Sequence, residues 1–210
     1  MGDDRVERRL TTILAADVVG YSQLTAADEE ATLNTLRAYR KVIDALVGKH
    51  NGRVFNTAGD AVLIEFGSAV EAVRCAVSIQ EDLAVRNAQL SEDAQMWFRI
   101  GINVGDVMIE GDDLFGDGVN VAARLEGLAE KGGICISGST FDQVKNKLSV
   151  AFSDIGPQKV KTSLNLLQPS ALCRGRFPSN PINRPKLRKR YRVQPTSETA
   201  GCKLVERPLS

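Results

Sequence analysis

GlyArgValPheAsnThrAlaGlyAspAlaValLeuIleGluPhe, residues 52–66, is the stretch whose reading decides the fold. Apolar residues alternate on both sides of ThrAlaGlyAsp, which predicts two short strands around a turn at Ala58 and Gly59, a hairpin with Asp60 at its tip. Toward the N-terminus, residues 9–18 predict a strand in which the apolar run ThrIleLeuAlaAla (12–16) closes on Asp17. Between these strands, ValGlyTyrSer (19–22) predicts a loop. Asp28 then stands ready to cap a helix reaching about Lys49, with Leu33, Leu36, Tyr39, Val42, Ile43 and Leu46 at the three-and-four spacing of one buried face.

Toward the C-terminus, residues 68–87 predict a second amphipathic helix. Residues 98–105 and 106–110 predict two strands joined at Gly105, and 112–118 a loop entering a helix over about 119–129. A short buried strand (133–137), a helix capped by Ser139 and running to about Lys147, and a strand at 150–155 complete the pattern. The order β-α-β-β-α-β with further α and β elements predicts an α+β protein, a ferredoxin-like sheet with extensions. That architecture hosts many functions and settles none.

Asp17 and Asp60 both sit at strand ends, where rigid backbone can hold two carboxylates together. Mg²⁺ dehydrates reluctantly and takes one or two protein carboxylates plus substrate phosphates, so such a pair can serve as a two-metal site. A turn-stabilising role is the alternative for either aspartate alone.

With 210 residues and 43% apolar content, the chain can bury one domain plus an appendage. No run approaches the roughly 18–20 apolar residues of a membrane span, and the charged start is unlike a signal peptide, which predicts a soluble, cytoplasmic protein. Cys75, Cys135, Cys173 and Cys202 lack CxxC spacing and predict buried thiols rather than a disulfide or zinc site. His50, the single histidine, is placed to cap or solvate a helix end.

Charge divides the chain. Residues 1–154 carry 15 Lys and Arg against 24 Asp and Glu, whereas residues 155–210 carry 12 against 2. This predicts a domain over 1–162 and a basic, unstructured tail over 163–210. The run ArgProLysLeuArgLysArgTyrArg (184–192) predicts weak contact with nucleic acid or an anionic surface. A natural extension and a reading-frame slip would both produce such a break in pattern.

Three segments in order, AlaAspValValGlyTyrSer (16–22), AsnThrAlaGlyAspAlaValLeuIleGluPhe (56–66) and AspLeuPheGlyAspGlyValAsnValAlaAlaArgLeu (113–125), give the chain a resemblance over residues 8–161 to class III adenylate and guanylate cyclase catalytic domains. The resemblance implies that Asp17 and Asp60 bind two Mg²⁺ or Mn²⁺ ions and that the backbone of Val18, Val19, Gly20, Tyr21 and Ser22 faces phosphate. It further implies that Asn120 orients the ribose, Arg124 neutralises the pentavalent phosphoryl group, and Lys161 binds triphosphate. Many adenylate cyclases carry Lys four residues before the second metal aspartate and Asp seven residues before the Asn; here those positions hold Asn56 and Asp113. Asp113 can accept from the exocyclic amino group of adenine, where guanine presents a carbonyl. ATP is the expected substrate, with guanylate or mixed specificity as the alternative and a degenerate nucleotide-binding or dimerisation module as a second. The family pattern also implies a homodimer in which one chain supplies the aspartates and the other Asn120 and Arg124. The last strand of the family pattern is not legible in residues 163–177.

Overall fold

A computed structural model of the chain describes residues 7–157 and 170–174. The described strands are β1 (Glu7–Val18), β2 (Gly52–Ala58), β3 (Ala61–Phe66), β4 (Phe98–Glu110), β5 (Asp113–Phe115), β6 (Ile134–Ser137), β7 (Ser153–Pro157) and β8 (Ser170–Arg174). The helices are α1 (Tyr21–Ala27), α2 (Glu29–Lys49), α3 (Ala69–Asn87), α4 (Asp117–Leu128) and α5 (Gly138–Val144). All eight strands join one sheet in the order β2-β3-β1-β4-β6-β8-β7, with β5 hairpinned onto β4. The β2-β3-β1-β4 half is the antiparallel ferredoxin-like order, and β6 extends it in parallel beside β4.

Side-chain alternation sorts the residues of β1 between two cores. Leu14, Ala16 and Val18 pack with Leu36, Tyr39 and Ile43 of α2 and Val73 and Ile79 of α3. Ile13 and Ala15 pack on the other face with Val119 and Ala122 of α4. Strict alternation puts Asp17 on the α4 side. The same parity runs through β4, where Ile100 and Ile102 face α2 and α3 while Arg99, Gly101 and Asn103 face α4.

Asp28 caps α2 as expected, its Oδ1 accepting from the Ala31 amide at 2.9 Å. Several other expectations need correction. Gly105 does not join two strands: β4 is continuous and pairs with β1 from Glu7↔Ile109 to Val18↔Phe98. Glycine is required there because a Cβ would lie 2.9 Å from the Gly118 Cα, at the start of α4. The loop at 19–22 winds at Tyr21 into α1, entered through Gly20 at φ +70°. Ser137, not Ser139, caps α5, its Oγ accepting from the Thr140 amide at 3.2 Å. His50 pairs through Nδ1 with Glu71 at 2.8 Å and ties the end of α2 to α3. Cys75 is a buried free thiol, whereas Cys135 is disulfide-bonded, against the expectation of thiols alone.

The segment assigned to an unstructured tail supplies β8, which pairs with β6 on one side and β7 on the other. Five residues between Pro169 and Gly175 are too few to show a period, so pairing rather than pattern defines this strand. The basic run 184–192 lies outside the described residues.

A buried polar knot ties α2, α3 and the approach to β4 together. Tyr39 Oη donates to Asn87 Oδ1 at 2.8 Å, the Met96 amide donates to the same oxygen at 2.9 Å, and Asn87 Nδ2 donates to the Met96 carbonyl at 2.8 Å. Burial pushes the Tyr39 hydroxyl up to about 12, so it stays a donor. Replacing Asn87 by Leu strands three partners in a dry site and should cost about 2–4 kcal/mol, read as a lowered urea midpoint with an unchanged m-value. An unchanged midpoint would show that the knot carries no net stability.

Candidate active site

The acid pair follows directly from strand register. β1 and β3 run antiparallel with Ala16 opposite Val62, so the residues just before β3 meet the residues that end β1. β2 and β3 connect through Gly59 and Asp60 alone, Gly59 having φ +61°. The Val18 amide donates to Asp60 Oδ2 at 3.2 Å, which fixes the second carboxylate against the strand carrying the first. Burial, then the hydrogen-bonded and negatively charged Asp60, push the Asp17 carboxyl up to about 6, against the pull of the Val18 amide and Arg99.

Two residues not singled out from the sequence complete this corner. Arg99 faces Asp17 across the β1–β4 ladder, with Nη2 3.4 Å from Asp17 Oδ2. Its Nε lies 2.8 Å from Glu126 Oε1 on α4, an ion pair without hydrogen-bond alignment. Burial pushes the Glu126 carboxyl up to about 7; Arg99 pulls it down while Asp17 and Asp60 push it further up. The only signal for Arg99 in the sequence was its parity on a strand opposite Asp17, a register no single-strand pattern supplies. Among the described residues no group of three or more His, Cys, Asp or Glu side chains could hold a metal, and the carboxylates brought together at the ends of β1 and β3 are Asp17 and Asp60. Two hard carboxylates whose mutual repulsion a cation would relieve fit Mg²⁺ or Mn²⁺.

The backbone approaching the pair is partly committed. The Val18 amide is held by Asp60 and the Val19 amide donates to the Trp97 carbonyl at 2.8 Å. The expected phosphate-facing backbone therefore narrows from Val18–Ser22 to Gly20, Tyr21 and Ser22, at an end of α1 that no side chain caps.

Asn56 and Asp113 are brought together from distant segments: Asn56 Nδ2 donates to Asp113 Oδ1 at 3.4 Å. A bulge between Val54 and Asn56 in β2 and the β4–β5 turn at Gly111 set their positions. Arg53 links the two elements by donating to the Asp112 carbonyl at 2.8 Å.

Asn120 and Arg124 share a face of α4, about 40° apart around the axis, while buried Gly118, Ala122 and Leu125 occupy the opposite side. Asn120 is exposed and Arg124 half-buried, with a buried Nη1 that has no hydrogen-bond partner. Asn120 lines a groove of about 470 Å³ with Arg8, Asn103 and Asp106, and neither Asp17 nor Asp60 borders it. One chain thus carries the acid pair beneath α4 and the Asn–Arg pair on its outer side. Lys161 lies outside the described residues.

A sheet of this order is shared by a known class. The chain belongs to the adenylate and guanylate cyclase catalytic domain family, whose model matches residues 7–169. It is 49% identical over 162 residues to a Rhizobium meliloti (strain 1021) protein named "Putative adenylate cyclase 3", covering 77% of this chain and 28% of that one. It is 34% identical over 138 residues to an adenylate cyclase of Streptomyces coelicolor, covering 64% of this chain and 34% of the relative. The chain therefore spans about a third or less of the length of these relatives. Among solved structures, an adenylate/guanylate cyclase/hydrolase from Silicibacter pomeroyi matches with TM-score 0.76 and 39% identity over 82% of this chain and all of that one. The guanylyl cyclase Cya2 matches with TM-score 0.66 and 26% identity, over 85% and 97% of the two chains. The family generally uses divalent metal ions, acts on nucleotides and dimerises. No described helix is long and apolar enough to cross a membrane.

Because the folded-state carboxyl of Asp17 titrates at about 6 rather than 3.8, its ionisation destabilises the metal-free fold as pH rises between those values. Asp17→Asn should therefore raise the melting temperature of metal-free protein at pH 7 to 8, and the gain should vanish near pH 4. Calorimetry across that range checks it; a variant less stable at pH 8 would show that Asp17 is held by favourable contacts.

Proposed function

We propose that this chain is the catalytic domain of a cytoplasmic adenylate cyclase that converts ATP to 3′,5′-cyclic AMP and pyrophosphate as a homodimer. The observation that carries this reading is the Asp17–Asp60 pair, two carboxylates pressed together by register at adjacent strand ends. In the reaction the ribose 3′-oxygen loses its proton and bonds to the α-phosphorus, the bond from that phosphorus to the bridging oxygen breaks, and pyrophosphate leaves. Two Mg²⁺ or Mn²⁺ ions, when bound, lower the pKa of the 3′-hydroxyl and stabilise charge on the triphosphate.

The chain's own part is to hold and orient. Asp17 and Asp60 bind the ions, and the amides of Gly20, Tyr21 and Ser22 face phosphate oxygens. Asp113 accepts from the amino group of adenine, with Asn56 beside it. Asn120 orients the ribose, Arg124 offsets charge on the pentavalent phosphoryl group, and Lys161 binds triphosphate. The unpartnered Nη1 of Arg124 is consistent with a group awaiting an anion. With Asn120 and Arg124 on the α4 face opposite Gly118, Ala122 and Leu125, a second copy supplies them in this reading, giving two composite sites related by a two-fold axis.

Purified protein incubated with Mn²⁺ and ATP should release cyclic AMP, identified by mass. Asp17→Ala and Arg124→Ala should each be inactive, and mixing the two should restore activity through heterodimers with one intact site. If subunit exchange is confirmed and activity stays absent, the shared-site dimer is wrong.

Base selectivity supports a second reading, mixed specificity, because Asn56 both donates and accepts where lysine only donates. Asn56→Lys should raise the ratio of kcat/KM for ATP over GTP, by about 10-fold for one hydrogen-bonding mismatch with guanine. An unchanged ratio would remove Asn56 from the base site.

A further inference from the structure

Arg99 and Glu126 take no part in the reaction proposed above, yet they form a charged relay ending on a carboxylate of the acid pair. We propose that Arg99 and Glu126 are positioning residues that set how much negative charge the Asp17–Asp60 pair presents to a divalent cation, Arg99 acting as a resident counter-charge and Glu126 as its tether. This rests on the acid pair being the metal site.

The geometry is asymmetric. Arg99 sits directly across from Asp17 in the β1–β4 register, so its guanidinium is aimed at the acid pair by the sheet itself. Its Nη2 nevertheless stops 3.4 Å from Asp17 Oδ2, beyond the roughly 2.7–2.9 Å of a full charge-assisted bond. The 2.8 Å contact is on the other side, from Nε to Glu126 Oε1. The backbone carrying Glu126 cannot move closer to Asp17, because α4 is seated hard on the sheet: a Cβ at Gly101 would lie 2.2 Å from the Glu126 amide nitrogen and 2.2 Å from the Ala122 carbonyl oxygen. The arginine is therefore held between two carboxylates on elements fixed by register and close backbone packing, nearer the one that is not a metal ligand. Arg99 is 28% exposed and Glu126 12%, so their charges are only partly screened.

Removing either partner alone should shift cation affinity in opposite directions. In Glu126→Gln the guanidinium loses its tether, closes on Asp17 and competes with the ion. In Arg99→Gln three carboxylates remain with no counter-charge. One full charge within several ångströms of a divalent ion in a partly wet site corresponds to a change on the order of 10-fold in affinity.

The experiment is a titration of the full chain with Mn²⁺ alone, free ion being read by its electron paramagnetic resonance signal, with melting temperature recorded in parallel. Glu126→Gln should bind Mn²⁺ about 10-fold more weakly than the unaltered protein and Arg99→Gln about 10-fold more tightly. The double variant should return toward the unaltered affinity, because it restores the local net charge. Loss of affinity in both single variants, or unchanged affinity with only a lowered melting temperature, would mean that the pair is structural and overturn the inference. Asp17→Asn separates the two levels: if it binds Mn²⁺ as well as the unaltered protein, the acid pair is not the metal site and both readings fall. If it abolishes binding while the Arg99 and Glu126 variants leave affinity unmoved, only the present inference falls.

Discussion

Antiparallel register across β3, β1 and β4 is the constraint on which the rest of the molecule depends. Setting Ala16 against Val62 draws Asp60 to the end of β1, and setting Asp17 against Arg99 brings a guanidinium to the same corner. A slip of one residue in either ladder would turn Asp17 toward the α2–α3 core, where Leu14, Ala16 and Val18 now lie. The register is defended by burial on both faces of β1. Ile13 and Leu14 are fully buried on opposite sides, so no alternative pairing keeps both cores filled. The functional geometry is thus a by-product of packing, held by a strand whose central residues are buried on both faces rather than by contacts among the acids, which repel.

The second constraint is the seating of α4. Gly101 and Gly105 on β4 and Gly118 at the start of α4 let backbone approach backbone without an intervening Cβ. That closeness fixes the azimuth of the helix, and the azimuth distributes its chemistry. Glu126 turns inward to Arg99, while Asn120 and Arg124 turn outward, four residues apart on one face. A helix seated on ordinary side chains could rotate to accommodate either set; one seated on glycine cannot.

Much of this was legible in the sequence, for identifiable reasons. The hairpin at 52–66, the capped helix after Asp28 and the ferredoxin-like order rest on local alternation and spacing, and they are found as read. Asp17 and Asp60 could be paired because one closes β1 and the other leads into β3, strands that a ferredoxin-like order makes neighbours. What failed depended on contacts between distant segments. Gly105 read as a joint because glycine in a strand signals a turn as readily as a close approach, and only the position of Gly118 separates the two. Arg99 and Glu126 have no local signal of their own; their meeting needs the β1–β4 register and the depth of α4 together. β8 is defined by its neighbours β6 and β7 rather than by any pattern of its own.

The free-energy balance at the acid corner connects stability to chemistry. Burying two carboxylates in contact raises the cost of ionising Asp17, and a fold selected for stability alone would place an amide or an apolar residue there. Arg99 offsets part of that cost, but its shorter ionic contact is with Glu126, so the compensation at Asp17 is incomplete. Full neutralisation by a tightly bound guanidinium would stabilise the empty protein and leave little field for a cation. No neutralisation would keep Asp17 protonated at higher pH and weaken the pair as an oxygen donor set. The arrangement lies between these limits: an arginine close enough to favour the ionised acid, and tethered far enough away that the carboxylate oxygens stay open to a cation of higher charge.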